Sequence, residues 1–143
     1  MNLMLVKASL IRQQENGTPK QVMELYLVDA ITFGEAETRT YKFLEGYTNV
    51  SVKGITPTPC EEIVKASDEA ETFFKVTTEY LDGDGEGKPK LKKEVRFIVA
   101  ENLAQAHDAV VQLTSSYMVD VRSTEVKETK ILDYISRDED QTA

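Results

Sequence analysis

The stretch GTPKQVMELYLVDAITFGEAETRTYKFLEGY, residues 17–47, occurs a second time in this chain of 143 residues, in altered form, 70 positions later. The copies align without a gap, and 7 of the 31 aligned pairs are identical. Average composition would give about two identical pairs, at roughly 6% identity per position. We therefore predict an internal duplication. The identical pairs are Gly17/Gly87, Pro19/Pro89, Lys20/Lys90, Glu24/Glu94, Ala30/Ala100, Ala36/Ala106 and Tyr47/Tyr117.

Each copy is predicted to open with a β-hairpin. Residues 3–12, 20–29 and 73–81 have the composition or the apolar–polar alternation of strands, and Asn16-Gly17 favours the first turn. The opening strands of the two copies match best at a shift of 68. The side chains predicted to share one face of each opening strand are Met4, Val6, Ala8 and Leu10 in the first copy and Phe74, Val76, Thr78 and Tyr80 in the second.

After each hairpin the apolar period becomes 3.6 residues, which predicts a helix. Thr32 with Glu35, and Asn102 with Gln105, form capping boxes, in which the cap accepts from the backbone and the third residue bonds back to the cap. Gly46 is placed to end the first helix. The predicted core-facing stripes are Phe33, Ala36, Thr40, Phe43 and Tyr47, and Leu103, Ala106, Val110, Leu113 and Tyr117.

A further strand follows each helix, at residues 49–55 and 119–126, so each half is predicted to be a β-β-α-β unit. The proline-rich segment 56–59 is expected to stop strand pairing, because proline lacks the backbone donor. The expected fold class is α+β, a tandem duplication of this unit. Its sheet is mainly antiparallel, with two helices packed on one face.

The halves are predicted to share one core, because about 60 residues alone would be marginally stable. The expected organisation is a single domain, 1–135, that contains repeats 1–56 and 72–135 and a connector 57–71. The connector could hold a short edge strand at residues 62–64 or a turn of helix, and residues 127–135 could extend the last strand. A mobile acidic tail is expected at 136–143, since it has little apolar surface.

Composition and charge narrow the functional classes. The net charge of −8 argues against broad attraction to nucleic acid or anionic membranes. No apolar run reaches the ~18–20 residues of a membrane span, and the start lacks an export signal. Cys60, the single cysteine, excludes an internal disulfide and fits a reducing compartment. A cytoplasmic location is therefore expected.

Motifs for catalysis or metal binding are incomplete. Residues 82–87, DGDGEG, resemble the start of a calcium loop, but Lys93 stands at the twelfth position, where a bidentate glutamate is required. His107 is the only histidine and is predicted to face solvent. Neither a phosphate-binding glycine motif nor a nucleophile elbow occurs. We therefore expect no enzyme activity, no metal and no cofactor.

Basic and aromatic residues on the predicted strands leave two interpretations open. Aromatic side chains between cations on a sheet bind single-stranded nucleic acid without sequence preference, and acidic tails often accompany such surfaces. Alternatively, the lysines line a solvated face and the aromatic rings fill the core. The candidate nucleic-acid-binding residues are Lys75, Tyr80, Lys90, Lys92, Lys93, Arg96 and Arg122.

Segments 26–30 (YLVDA), 32–37 (TFGEAE) and 73–76 (FFKV) resemble a family of small uncharacterised proteins from gut anaerobic bacteria and their bacteriophages, catalogued as a domain of unknown function. The resemblance covers most of the chain before the tail. It implies a cytoplasmic protein, often encoded by phages or mobile elements, without catalytic residues to carry over.

The sequence favours a non-enzymatic binding or assembly module that engages a protein partner or a second copy, as in a homodimer. The alternative is a single-stranded DNA-binding protein with a basic and aromatic sheet face and an acidic C-terminal tail. No membrane or metal partner is expected in either case.

Overall fold

The structure, a computed structural model, describes residues 1–82, 87, 90–117 and 120–137. These residues form an α+β fold, as predicted. Residues 83–86 of the calcium-like loop and the tail from 138 lie outside this description, so the predictions made for them stay predictions. The elements are β1 (Leu3–Gln13), β2 (Pro19–Asp29), α1 (Phe33–Phe43), β3 (Thr48–Pro57), β4 (Ile63–Lys65), β5 (Thr72–Asp82), β6 (Lys90–Ala100), α2 (Leu103–Thr114), β7 (Val121–Glu128) and β8 (Ile131–Ile135).

The first unit is built on the β1–β2 hairpin. Its sheet has the order β3-β1-β2-β8, with β1 antiparallel to both neighbours and β8 parallel to β2. Gly17, at φ +81°, makes the turn that Asn16-Gly17 predicts. The predicted alternation of β1 is confirmed, because Met4, Val6, Ala8 and Leu10 are buried in one cluster that also contains Ala36 of α1.

The second unit has the same arrangement, with the order β4-β6-β5-β7. Strand β5 is antiparallel to β6 and β7, and β4 is parallel to β6. Phe74, Val76 and Ile98 of the sheet are buried with Ala106 and Val110 of α2. Each helix therefore packs on its own sheet, whereas the sequence predicts two helices on one face of a sheet.

The fourth strand of each sheet comes from the other half of the chain. Strand β4 follows β3 along the chain but pairs with β6, and β8 follows β7 but pairs with β2. The predicted edge strand in the connector thus exists. The expected extension of the last strand through 127–135 is wrong, because β7 ends at Glu128 and β8 belongs to the first unit.

This exchange gives the compact units bounds that the repeat pattern does not predict. One unit contains Met1–Pro59 and the segment from Lys130, and the other is Cys60–Thr129. Immediately after β3 and after β7, a backbone N–H fixes the chain to its unit. Thr58 donates to the Leu3 carbonyl and Thr129 to the Phe73 carbonyl, both at 2.9 Å. Pairing continues to Pro57, past its predicted stop, because Pro57 ends an edge strand, which tolerates a missing donor.

The two hairpins have the same register. Leu3 lies opposite Asp29 in the first hairpin, and Phe73 lies opposite Val99 in the second, so both strands correspond at a shift of 70. The predicted shift of 68 for the opening strands is wrong. Apolar side chains recur every two residues in a half-buried strand, so a slip of two positions preserves the pattern.

A β-bulge also occurs at the same place in both sheets. It lies between Lys7 and Ala8 in the β1–β3 ladder and between Thr77 and Thr78 in the β5–β7 ladder. A bulge bends the strand and increases its local twist. The two units therefore agree in a local irregularity as well as in strand order.

The predicted helix caps are confirmed. The Thr32 hydroxyl accepts from the Glu35 N–H at 3.1 Å, and the Asn102 side chain accepts from the Gln105 N–H at 2.8 Å. The return bonds reach the residue before the cap instead of the cap itself. The Glu35 carboxylate accepts from the Ile31 N–H at 3.4 Å, and the Gln105 side chain accepts from the Glu101 N–H at 2.8 Å.

The buried stripe of each helix is shorter than predicted. Ala36 and Thr40 are buried in α1, and Ala106 and Val110 in α2. Helical side chains lean toward the N-terminus of the helix. The side chain of the first helical residue therefore points beyond the end of the helix. The predicted core-facing residues that are instead exposed are Phe33, Phe43, Tyr47 and Leu103.

Candidate interaction site

The seven basic and aromatic residues that the sequence singles out are divided between the two faces of the second sheet. Side chains alternate along a strand, and cross-strand neighbours share a face. Lys92 lies opposite Tyr80, whereas Lys93 and Arg122 lie opposite Glu79. The face toward α2 carries Tyr80, Lys90, Lys92 and Arg96, and the other face carries Lys75, Lys93 and Arg122.

Arg96 does not face outward as the sequence suggests, because its side chain is only 6% exposed. Its guanidinium forms ion pairs with Glu62 at 2.9 Å and with Glu94 at 2.8 Å. Burial alone would lower the pKa of Arg96, but the bonds to Glu62 and Glu94 outweigh it and raise the pKa above the ordinary value. Arg96 is therefore committed to internal partners.

Tyr117 completes this polar cluster. Its hydroxyl accepts from Arg96 and donates to Glu94 at 3.0 Å. The Tyr80 ring meets the Tyr117 ring edge-on, with centroids 6.1 Å apart. Burial and the hydrogen bond to Glu94 raise the pKa of Tyr117. Tyr80 thus packs within the unit, on the same side as Arg96.

Lys93 and Arg122 converge on one carboxylate on the opposite face. Glu79 accepts from Arg122 at 2.6 Å and from Lys93 at 3.3 Å. The bond to Arg122 outweighs desolvation and, with Lys93, holds the pKa of Glu79 below its usual value. The Arg122 side chain is nevertheless 75% exposed and the Lys93 side chain 64% exposed, so part of each faces solvent.

The first unit contains a cluster of the same chemistry. Arg12 donates through two nitrogens to the buried carboxylate of Glu24, one of them at 3.0 Å, and the Tyr26 hydroxyl also donates to Glu24. The guanidinium carbon of Arg12 lies 4.7 Å from the centroid of the Tyr47 ring, in a cation–π contact. Each unit therefore pairs an arginine with a glutamate and a tyrosine.

The pKa shifts in this cluster follow from the pairing. Burial alone would raise the pKa of Glu24, but the bonds from Arg12 and Tyr26 and the Arg12 charge lower it below the ordinary value. Burial and the bond to Glu24 raise the pKa of Tyr26. At neutral pH the cluster is a carboxylate held by a guanidinium and a protonated phenol.

Sequence reasoning did not predict these clusters, although a signal for them exists. Glu24/Glu94 and Tyr47/Tyr117 are among the identical pairs 70 positions apart, and a glutamate at the same place inside two similar strands indicates a fixed partner. The arginine is harder to find, because the first unit takes it from β1 and the second from β6.

A groove opens between α2 and β7. Its volume is about 380 Å³, within the range of about 300–1,000 Å³ that is typical of ligand sites. The side chains that line it are Leu103, Ala104, His107, Asp108 and Val126. His107 is exposed, as predicted, and Leu103 is 54% exposed. The lining is therefore mainly apolar, with an imidazole and a carboxylate beside it.

The first unit differs at the corresponding place. Phe33 stands where the second unit has Leu103, and Tyr41 stands where it has Val111. The Tyr41 hydroxyl accepts a hydrogen bond from the Val52 N–H of edge strand β3 at 3.1 Å. A valine has no polar atom to make this contact. A tyrosine of α1 thus satisfies one backbone N–H at the outer edge of β3. Helix α2 has no tyrosine at the corresponding position.

Other candidate groups form no site in the described part of the chain. No group of three or more metal-ligating side chains lies together among those residues. Cys60 is buried, burial raises the pKa of its thiol, and the thiol donates to the Glu62 carbonyl at 3.1 Å. Neither α1 nor α2 is long and apolar enough to cross a membrane.

The fold and its clusters define an α+β protein of two units that exchange their fourth strands. Residues 2–137 match the family DUF4494, a domain of unknown function, and the chain belongs to that family. No curated protein matches the chain, and neither does any solved structure.

Proposed function

We propose that this protein is a non-enzymatic binding or assembly module that holds a protein partner or a second copy of itself. One observation carries the proposal: each unit exposes an apolar flank of its helix beside an edge strand of its sheet. Phe33 and Tyr41 form this flank in α1, and Leu103 and Val111 form it in α2, with exposures between 40% and 55%. Burial of such side chains contributes about 25 cal/mol per Å² of apolar surface, from which the entropic cost of association is subtracted.

The charged groups support this assignment. Arg12, Glu24, Glu94 and Arg96 are bound to internal partners, so the apolar flanks are the more available surface. Aromatic side chains are enriched in the cores of protein interfaces, where charged ones are depleted. A partner that covers the helix flanks would bury Phe33 and Tyr41 without breaking an ion pair.

Site-specific photo-crosslinking tests the proposal. A benzophenone amino acid placed at position 33 or 103, in the cells that express the protein, is expected to give discrete protein adducts. The matched control is position 45, an exposed glutamate after α1. Adducts to a second copy would identify self-association, and adducts to another chain would identify a partner. The same diffuse products from positions 33, 103 and 45 would contradict the proposal.

A second candidate function is single-stranded DNA binding in phage or mobile-element replication. The supporting observation is that Lys90, Lys92, Lys93 and Arg122 are exposed on the β5–β6–β7 part of the sheet. A gel shift with labelled oligothymidine tests it. Affinity that falls steeply with salt and is lost in the variant Lys92→Glu/Lys93→Glu would support it. No shift at low salt and micromolar protein would end it.

The biological setting is also a proposal. The resemblance of the strand-to-helix segments supports an origin in gut anaerobic bacteria or their phages and a cytoplasmic location. The common register and the common bulge support the duplication of one ancestral unit. A duplicated module with two apolar flanks fits an assembly role, since it presents two similar surfaces.

A further inference from the structure

The proposed function leaves open which of the two helix flanks binds a partner and what the partner is; the following inference rests on that function. We propose that the groove between α2 and β7 binds an extended peptide, which adds to the outer edge of β7 as a further strand. One apolar side chain of the peptide enters the groove. The partner is therefore a protein segment in extended conformation, with an apolar residue flanked by basic ones.

Strand β7 offers the edge. It ends the sheet order β4-β6-β5-β7, and its ladder is formed with β5. Arg122, Glu125, Lys127 and Glu128 are exposed, so this strand is accessible to solvent. An edge strand presents unpaired N–H and C=O groups, and an extended peptide satisfies them by strand addition. A helical ligand would leave those groups without partners.

The groove lies against a regular part of this edge. Val126 lines the groove, and the β-bulge opposite Thr77 and Thr78 interrupts the ladder before Glu125. Regular pairing with a peptide is thus available on both sides of the bulge, at Glu125–Glu128 beside the groove and at Val121–Ser123. Ser123 lies opposite Thr78 as Val52 of β3 lies opposite Ala8, so the two edges correspond there. Alternate peptide side chains point to one face of the extended sheet, so one of them is directed at the helix side. There it meets Leu103, Ala104 and Val126.

Charge selects the flanking residues of the peptide. The helix α2, LAQAHDAVVQLT, contains one carboxylate and neither lysine nor arginine. That carboxylate, Asp108, lines the groove beside the apolar walls. A lysine or arginine next to the apolar anchor gains attraction from Asp108, whereas an acidic residue there is repelled. The groove therefore favours a basic peptide.

The comparison with the first unit assigns the site to α2 and β7. In the first unit the Tyr41 hydroxyl accepts a hydrogen bond from the Val52 N–H of edge strand β3. The corresponding residue in α2, Val111, is 53% exposed and has no hydroxyl. A peptide at β3 would have to displace this bond. The variant Val111→Tyr gives the second unit the same capping group and should close its edge.

Selection from a phage-displayed library of random hexapeptides on the full chain tests the inference, with the Leu103→Asp variant as the counter-selection target. The expected result is a consensus that alternates an apolar residue with lysine or arginine. A synthetic peptide of that consensus should lose about tenfold in affinity, or about 1.4 kcal/mol, for Leu103→Asp and for Val111→Tyr. N-methylation of its backbone should weaken it as much, because strand addition needs the N–H groups.

The substitution Leu132→Asp is the matched control, since it makes the same change at an equally exposed leucine of β8, outside both helix flanks, and should leave the affinity unchanged. All three substituted side chains are exposed, and unchanged thermal unfolding verifies the fold. No consensus, an acidic consensus or a peptide that binds equally to Leu103→Asp would overturn the inference. In the last case the protein-binding proposal stands, because peptides bind elsewhere; it fails only if the crosslinks at positions 33 and 103 fail too.

Discussion

Tyr26 and Arg96 occupy the same position in the two hairpins, and each contacts the glutamate two residues before it. The first unit takes its arginine from β1, as Arg12, whereas in the second unit the hairpin residue is itself the arginine. Both glutamates thus keep a guanidinium partner although its position in the sequence changes. A buried carboxylate without a partner is costly, which explains why the pairing is present in each unit.

Replacement of Arg96 by methionine is expected to destabilise the protein by about 3 kcal/mol. It leaves Glu94 and the Tyr117 hydroxyl without their cation in a poorly solvated place, and removal of one partner of a buried pair typically costs about 3–5 kcal/mol. Urea unfolding measures the loss. The control Lys93→Met removes a mostly exposed partner of Glu79 and should cost at most about 1 kcal/mol. Equal losses for the two variants would contradict the assignment of Arg96 to a buried cluster.

The Glu24 carboxylate is expected to make stability depend on acid pH. Its pKa is lower in the folded state than in the unfolded chain, so the ionised form contributes stability. This contribution is fully present above the unfolded pKa of about 4.3 and is lost as the pH falls through the folded pKa. Unfolding free energies of the wild type and Glu24→Gln should therefore differ at neutral pH and converge in acid. The exposed Glu37→Gln serves as the control, and a difference that grows in acid would disprove the account.

The two cap residues should each contribute about 1 kcal/mol to stability. Thr32→Ala removes the acceptor of the Glu35 N–H, and Asn102→Ala removes the acceptor of the Gln105 N–H. Thr38→Ala, at an exposed position in the middle of α1, should be neutral or slightly stabilising because alanine has the higher helix propensity. Thermal or urea unfolding of the three variants compares them. If Thr38→Ala costs as much as Thr32→Ala, the capping role is wrong.

Local patterns in the sequence predict the elements of this fold. Alternation in β1 identifies Met4 and Val6 as buried, and the capping signals place the helix starts at Thr32 and Asn102. These features depend on neighbours within four residues, so one sequence contains the necessary information. The α+β class follows from them.

Nonlocal pairing is what the sequence does not reveal. The three residues of β4, Ile63–Lys65, carry no sign of which sheet they join, and the same holds for β8. Arg96 lies on a strand among lysines, and a strand pattern cannot distinguish an arginine in a buried ion pair from one in solvent. The groove between α2 and β7 likewise depends on how the helix packs against the sheet, which the local pattern of neither element determines.

The exchange of fourth strands supports the rest of this account, because it assigns β4 and β8 to opposite units and leaves β7 at a sheet edge. Insertion of a protease site between the exposed residues Asp68 and Glu69, followed by cleavage of the folded protein, tests it directly. We predict that the two pieces stay together and elute in size-exclusion chromatography with the mass of the intact chain, since each contributes a strand to the other's sheet. Separation of the pieces under native conditions would contradict the exchange.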